Sequence, residues 1–213
     1  MRAWCGLLVL GAVAGTARGS PQSLAGVPEA VEKRYNRLRS LRAEFEESVS
    51  YAGRNRRRER GSLYLLRPGK MRWEYSEPAG KLFISDGKMF HLYSPNANQV
   101  RRIRPAEASD MRAPLAFLLG RLDLRKEFGK LTLKTVEEGI EMTALARSED
   151  AAFSQAVFTI APDTFQIRRI AVTGQDGMKT EFQFGREVLN PRLDPGLFRF
   201  RAPAGAEVVG QVP

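Results

Sequence analysis

The chain has 213 residues, 34 Lys and Arg against 24 Asp and Glu, a formal net charge of +10, one His and one Cys. That length suits one domain with a sizeable core, while a single His beside a single Cys excludes a disulfide framework and leaves too few ligands for a zinc centre. Most of the charge reads as a solvated basic surface. In an exported chain the excess points to anionic lipid, anionic polymer or an acidic partner rather than to nucleic acid.

Residues 1–19 read as a secretory signal peptide. Arg2 supplies the positive start, residues 7–14 the short apolar run, and Ala12-Val13-Ala14 or Ala17-Arg18-Gly19 a small-residue cleavage site. The run is well short of the roughly 20 residues a membrane span needs. Cys5 lies inside this segment, so residues 20–213 would form a single domain with no thiol and, without Arg2 and Arg18, a charge of +8. Residues 24–49 predict a helix, because Val27, Val31, Tyr35, Leu38, Leu41 and Phe45 recur at spacings of three and four, with a change to strand over 45–51. Residues 53–60, GRNRRRER, read as a cationic hairpin tip or loop whose like charges discourage edge pairing. Contact with an anionic partner is the alternative.

Residues 62–93, SLYLLRPGKMRWEYSEPAGKLFISDGKMFHLY, hold apolar strand-like runs joined by Pro-Gly, Pro-Ala-Gly and Asp-Gly turns. Arg67 shares parity with Leu63 and Leu65, so it should point where the leucines point. A cation aimed at an apolar face is costly unless an acceptor meets it. Asp86-Gly87 predicts a two-residue hairpin turn that sets Ile84 opposite Met89 and Leu82 opposite His91, with Tyr93 on the same face. A short strand follows at 100–104, then a loop, then a short helix over 115–119 that starts behind Pro114 and ends at Gly120, and a further helical turn over 122–128. The remainder alternates with period two over 131–136, 139–145, 156–160, 165–173 and 178–184, and residues 198–201 precede a Pro- and Gly-rich tail. About ten short strands in a meander, preceded by a long helix, predict an α+β fold whose sheet curls into a barrel or half-barrel closed by helices.

Catalytic equipment is sparse. His91 sits mid-strand with no nucleophile motif beside it. Ser85 to Lys88 matches S-x-x-K but lacks companion motifs and reads as a turn. Glu46-Glu47 and Glu137-Glu138 are sequence neighbours, which point to opposite faces of a strand. No phosphate-binding glycine loop is present. These observations favour a binding protein with no catalytic residue, metal or cofactor. The inward positions Met71, Trp73, Tyr75, Leu82, Ile84, Met89, Phe158, Ile160, Ile170, Val172, Phe182 and Phe184 describe either a filled core or the wall of an apolar cavity, and the pattern leaves both open.

The ordered motif Gly61-x-Leu63-x-x-x-Arg67-Pro68-x-x-Met71-x-Trp73-x-Tyr75, continued by Pro78, Ser85-Asp86-Gly87-Lys88, Tyr93, Pro95, Pro114, Leu118-Leu119-Gly120 and Leu197-Phe198-x-Phe200 with Pro203 and Gly205, resembles the LolA family. Leu38, Leu41 and Phe45 fit the family's opening helix and first strand. The resemblance implies an unclosed antiparallel β-barrel (half-barrel) covered by a helical lid, with an N-terminal helix. It implies a periplasmic chaperone that carries lipoproteins from the inner to the outer membrane by holding their acyl chains in a hydrophobic cavity. On that reading Leu63, Leu65, Met71, Trp73, Tyr75, Leu82, Ile84, Met89, Phe158 and Phe182 line the cavity, and Leu115, Leu118 and Leu119 belong to the lid helix. Arg67 is the latch that hydrogen-bonds to lid carbonyls. The implied partners are outer-membrane lipoproteins, an inner-membrane ABC transporter of the LolCDE type, and an outer-membrane acceptor of the LolB type or another, with the carrier a monomer that binds no nucleic acid. The chain departs from the family pattern at His91, where Trp is frequent, and at GRNRRRER. Other readings are a carrier or sensor of a free lipid or glycolipid on the same fold, a hydrolase using His91, or a basic surface-adhering module.

Overall fold

The computed structural model describes residues 24–104, 122–151 and 153–210. After one 3-10 turn at Leu24–Gly26 comes helix α1, Val27–Asn36, with Pro28 in its first turn and Val27, Val31 and Tyr35 buried along one stripe. The helix ends well before the point that the apolar spacing predicts, since strand β1 spans Ser40–Tyr51. Leu41 and Phe45 lie four apart, a separation that one helical face and one strand face both accommodate. The alternation Leu-Arg-Ala-Glu-Phe-Glu favours the strand, and Leu41, Ala43, Phe45 and Glu47 are the buried positions.

The strands that follow are β2 (Arg54–Leu66), β3 (Lys70–Glu77), β4 (Leu82–Asp86), β5 (Phe90–Ser94), β6 (Gln99–Ile103), β7 (Lys130–Val136), β8 (Gly139–Leu145), β9 (Phe153–Ile160), β10 (Ile167–Gly174), β11 (Lys179–Leu189) and β12 (Glu207–Val209). One short helix, α2 (Leu124–Glu127), precedes β7 and is capped by the Asp123 side chain, which accepts from the Lys126 amide. All twelve strands form one sheet in the order β12-β6-β5-β4-β3-β2-β1-β11-β10-β9-β8-β7. Every pairing is antiparallel except that of β12 with β6. The end strands β12 and β7 do not pair with each other, so the sheet is unclosed.

The sheet curls. In a flat sheet β3 and β11 would lie three strand spacings apart, roughly 14 Å, yet the rings of Trp73 on β3 and Phe182 on β11 have centroids 5.4 Å apart. The concave face carries the core, closed by α1 and by Leu122, Leu124 and Phe128 around α2. This is the unclosed, mostly antiparallel sheet with an N-terminal helix that the sequence predicts.

Two local expectations are corrected. The cationic 53–60 segment is mainly strand, the start of β2, with only its first residue in the turn. Three of its arginines sit beside glutamates: Arg57 meets Glu59 at 3.2 Å, Arg58 meets Glu46 at 3.3 Å and Arg60 meets Glu77 at 3.0 Å. These pairs remove the self-repulsion that favours a loop. The β4–β5 turn is longer than two residues. The Asp86 carboxylate accepts from the Lys88 and Met89 amides at 2.7 and 2.8 Å, and Ile84 consequently faces His91 while Leu82 faces Tyr93. Strand β12 has no counterpart in the sequence pattern, because three residues in a parallel pair carry no readable alternation. Phe198 closes a 3-10 turn, Pro195–Phe198, and residues 199–201 lie outside any strand. The signal peptide at 1–19 and the helix carrying Leu115, Leu118 and Leu119 lie outside the described residues.

Candidate functional site

The site is the trough formed by the concave face of the sheet beneath α1. Cross-strand register aligns its floor: Leu65 faces Leu41 and Met71, Leu63 faces Ala43 and Trp73, and Trp73 faces Phe83. On the other limb Met142 faces Phe158, Phe158 faces Ile170, and Ile170 faces Phe182. Trp73, Met142 and Phe158 are fully shielded from solvent. An aromatic layer joins the two limbs, with Phe45 edge-on to Trp73 at 4.7 Å and to Tyr75 at 5.0 Å, and Phe182 stacked on Phe184 at 6.3 Å.

Of the predicted cavity residues, Leu63, Leu65, Met71, Trp73, Tyr75, Phe158 and Phe182 share this concave cluster. Leu82 and Ile84 do not. They stand on the opposite face, since Phe83 is the residue of β4 that pairs with inward Trp73. Ile84 pairs with Arg72, whose guanidinium reaches over the outer face to the Leu197 carbonyl at 3.1 Å, and the C-terminal Pro195–Phe198 turn covers this region. Met89 lies in the β4–β5 turn rather than on a strand. Sequence parity misses Phe83 and Phe90, which stack inward at 5.4 Å. The register of Trp73 against Phe83 is the signal that identifies them.

Between α1 and the floor the remaining space is small. A cavity of about 20 Å³ is lined by Tyr35, Leu41, Ala43, Leu63, Ile167, Ile170, Phe184 and Glu187. Small-molecule sites offer roughly 300–1,000 Å³, so among the described residues α1 packs closely on this part of the floor.

Polar groups fix α1 in place. The Tyr35 hydroxyl accepts from the Ile167 amide at 2.9 Å and donates to Glu187 at 3.0 Å, and Arg34 pairs with the same carboxylate. Burial, then the Glu187 charge, pushes the Tyr35 hydroxyl well above the ordinary phenol range. Asn36 is matched both ways with Leu122, accepting its amide at 2.7 Å and donating to its carbonyl at 2.8 Å. Arg67 stands just past β2 and donates to the Tyr35 carbonyl in the last turn of α1 at 3.2 Å. The parity argument required an acceptor on the concave side, and the end of a helix offers unpaired carbonyls. Burial holds the Arg67 pKa below its usual value. Among the described residues the helix it grips is therefore α1; the 115–119 helix lies outside them.

The far end of the trough is ionic. Glu47 and Glu59 face each other across β1 and β2 and are both buried. Like charges so placed repel unless cations intervene. Arg57 approaches both, Lys81 pairs with Glu59 and lies over the Tyr75 ring at 4.1 Å, and the Tyr75 hydroxyl donates to Glu47 at 2.9 Å.

His91 lies on the outer face with its ring stacked on Phe200 at 4.8 Å. Its buried Nδ1 has no partner among the described residues, and burial, aided by Arg102, holds its pKa below the usual histidine value against the opposing pull of Asp86. Ser85 donates to the Gly69 carbonyl at 2.7 Å and accepts from the Gly87 amide at 3.3 Å, so the S-x-x-K residues build a turn. Among the described residues no three His, Cys, Asp or Glu side chains converge as metal ligands, and no helix is long and apolar enough to cross a membrane.

An unclosed, curled antiparallel sheet with an apolar trough beneath an N-terminal helix is an architecture shared with solved structures. An uncharacterized conserved protein from Thermus thermophilus superposes with a TM-score of 0.53 at 16% identity over 88% of this chain and 99% of that one. A DUF1329 family protein from Desulfovibrio piger does so with a TM-score of 0.50 at 13% identity over 84% and 98%. These two show the fold alone. The family model described as outer membrane lipoprotein carrier protein LolA matches residues 36–201, and the chain belongs to that family. Relatives named outer-membrane lipoprotein carrier protein include those of Methylobacillus flagellatus, 30% identical over 86% of this chain and 88% of the relative, and Dechloromonas aromatica, 31% identical over 88% and 89%.

Proposed function

We propose that this protein is a periplasmic carrier of outer-membrane lipoproteins that holds their acyl chains in the trough between the concave sheet and α1, without enzymatic activity. The observation that carries the reading is the trough itself: a continuous apolar face covered by a helix that is joined to the sheet through a few polar bonds, in a chain of the lipoprotein-carrier family. Acyl chains would take the place of α1 against Leu63, Trp73, Phe158 and Phe182. Arg67 would act as the latch, since its bond to the Tyr35 carbonyl must break for α1 to leave. An inner-membrane ABC transporter of the LolCDE type would load the cargo. Burial contributes about 0.8 kcal/mol per methylene, so unloading requires an acceptor that competes for the chains, of the LolB type or another.

Native mass spectrometry of the protein taken from the periplasm of its host tests this. The expected species is a one-to-one complex with an acylated lipoprotein. A free lipid as the only ligand would replace this reading with that of a lipid carrier on the same fold. Separately, Arg67→Leu should slow transfer of a bound lipoprotein to acceptor membranes, and unchanged transfer would remove the latch role.

A further inference from the structure

The base of the molecule, where α1 passes into β1, carries a surface groove of about 500 Å³. Three arginines line it, Arg37, Arg39 and Arg192, all exposed. Leu66, Pro191 and Leu193 supply its apolar lining. The groove is held by the backbone. The Ser40 hydroxyl donates to the Pro191 carbonyl at 2.6 Å, the Asn190 amide donates to the Ser40 carbonyl at 2.9 Å, and the Arg39 amide donates to the Asn190 side chain at 2.8 Å. Asn190 turns the chain with φ at +53°, a conformation that asparagine tolerates better than most residues.

The groove gathers three cations in one concavity with no countercharge among the described residues. Some arginines elsewhere do sit on carboxylates: Arg34 with Glu187, Arg57 with Glu59, Arg58 with Glu46, Arg60 with Glu77 and Arg125 with Glu29. Among the described residues the side chains of Arg37, Arg39 and Arg192 meet no carboxylate. The nearest acids in sequence are already engaged: Glu187 holds Arg34 and Tyr35, and Asp194 accepts from the Gly196 amide at 2.8 Å. A concavity lined by one sign of charge concentrates anions. Planar guanidiniums match phosphate oxygens in pairs. The strand entering the groove ends on Val188 and Leu189, which remain 48% and 40% exposed. Unpaired arginines beside exposed aliphatic side chains suit a surface that is anionic outside and apolar just beneath.

We propose that this groove docks the protein on an anionic phospholipid bilayer, with a phosphodiester headgroup seated among Arg37, Arg39 and Arg192. The contact lies at the end of the trough where Arg67 grips α1, so it would set that end against the membrane. The proposal goes beyond the carrier reading and is tested without cargo, so either can fail alone.

The test is co-sedimentation of the unliganded protein with vesicles of phosphatidylcholine alone or with one-third phosphatidylglycerol. The wild-type chain should bind the anionic vesicles only, and should release them at about 0.5 M salt, where screening shortens to a few Å. The variant Arg37→Gln/Arg39→Gln/Arg192→Gln should bind on the order of a hundredfold more weakly, from roughly fivefold for each cation near such a surface. The variant Arg54→Gln/Arg58→Gln/Arg60→Gln loses the same charge from the opposite end and should retain most of the affinity. The groove arginines hold no side-chain bond within the described fold, so the first variant should melt with the wild type. Absence of wild-type binding, equal loss in both variants, or retained binding in the groove variant would each overturn the proposal. So would capture of an acidic peptide by the groove with no affinity for vesicles, which would assign it to a protein partner.

Discussion

Replacing Arg67 with Leu isolates the one side-chain bond, among the described residues, from the β2–β3 corner to the last turn of α1. The guanidinium donates to the Tyr35 carbonyl at 3.2 Å. A hydrogen bond from a charged group contributes about 1.5–3 kcal/mol when sheltered. Arg67 is only half-buried, and burial already disfavours its charge, so solvent screening discounts that figure to about 1 kcal/mol. Leucine at this position also relieves the cost of holding a cation against Leu65 and Tyr35. The consequence should therefore be local: α1 detaches roughly fivefold more often, because about 1.4 kcal/mol corresponds to a factor of ten, while the sheet keeps its stability. Hydrogen exchange read by mass spectrometry separates the two. Amides in the second half of α1 should exchange about fivefold faster, and amides of β1, β2 and β3 should not change. Arg67→Lys, which keeps a donor and a charge, should lie between the two. If α1 exchanges at the wild-type rate, the bond does not hold the helix. If every element accelerates together, Arg67 supports the whole fold and the latch argument is refuted.

Lys81→Met should destabilise the protein by about 1–3 kcal/mol, because Glu59 loses a cation in a buried position, and adding Glu59→Gln should recover part of the loss in a thermal or urea double-mutant cycle. Simple additivity would contradict the pairing. Gly61→Ala should cost about 3 kcal/mol, since an added Cβ would lie 2.1 Å from the Glu74 carbonyl oxygen across the β2–β3 pair; a wild-type melting temperature would show that the strands separate freely there. His91 is held below its ordinary pKa by burial, so the unfolded chain takes up its proton first as pH falls. Stability is then complete above about pH 6.5 and declines below it towards the folded pKa. His91→Phe should flatten that part of the stability profile, and an unchanged slope would assign the titration elsewhere.

The floor of the trough is legible in the sequence wherever alternation and a short turn occur together. Leu63 and Trp73 follow from a Pro-Gly turn between two alternating runs, and Phe158 and Phe182 follow from period two alone. Arg67 is legible by parity, as a cation that needs an acceptor, although which helix supplies the carbonyl depends on the tertiary path. The boundary between α1 and β1 is hidden because Leu41 and Phe45 satisfy both periods. Parity puts Leu82 and Ile84 on the wrong face because the face is set by the pairing of β3 with β4, where inward Trp73 meets Phe83 and Arg72 meets Ile84. Their cover comes from the C-terminal segment more than a hundred residues away, which no local pattern announces. The basic segment defeats local reading for a related reason: Glu59 is its neighbour within β2, but Glu46 and Glu77 lie on β1 and β3, and only the register brings them beside Arg58 and Arg60.

The packing of α1 on the trough floor carries a consequence for loading. The helix contributes Val27, Val31 and Tyr35 to the core. Withdrawing three large apolar side chains costs about 1.5–3 kcal/mol each, or roughly 5–9 kcal/mol, and this is an upper figure because an unfolded reference exaggerates the area lost. At about 0.8 kcal/mol per methylene, a dozen buried acyl carbons would offset that cost, so under the proposed carrier function helix and cargo would compete for one surface. Such a carrier would close on itself when empty and open only for a cargo long enough to displace the helix. Loading with a lipoprotein should therefore raise hydrogen exchange in α1 while lowering it in β3, β9 and β11, where Trp73, Phe158 and Phe182 gain cover. A ligand that bound without displacing the helix would protect both. Protection of α1 on loading would show that the acyl chains lie elsewhere on the molecule, and the competition between helix and cargo would have to be abandoned.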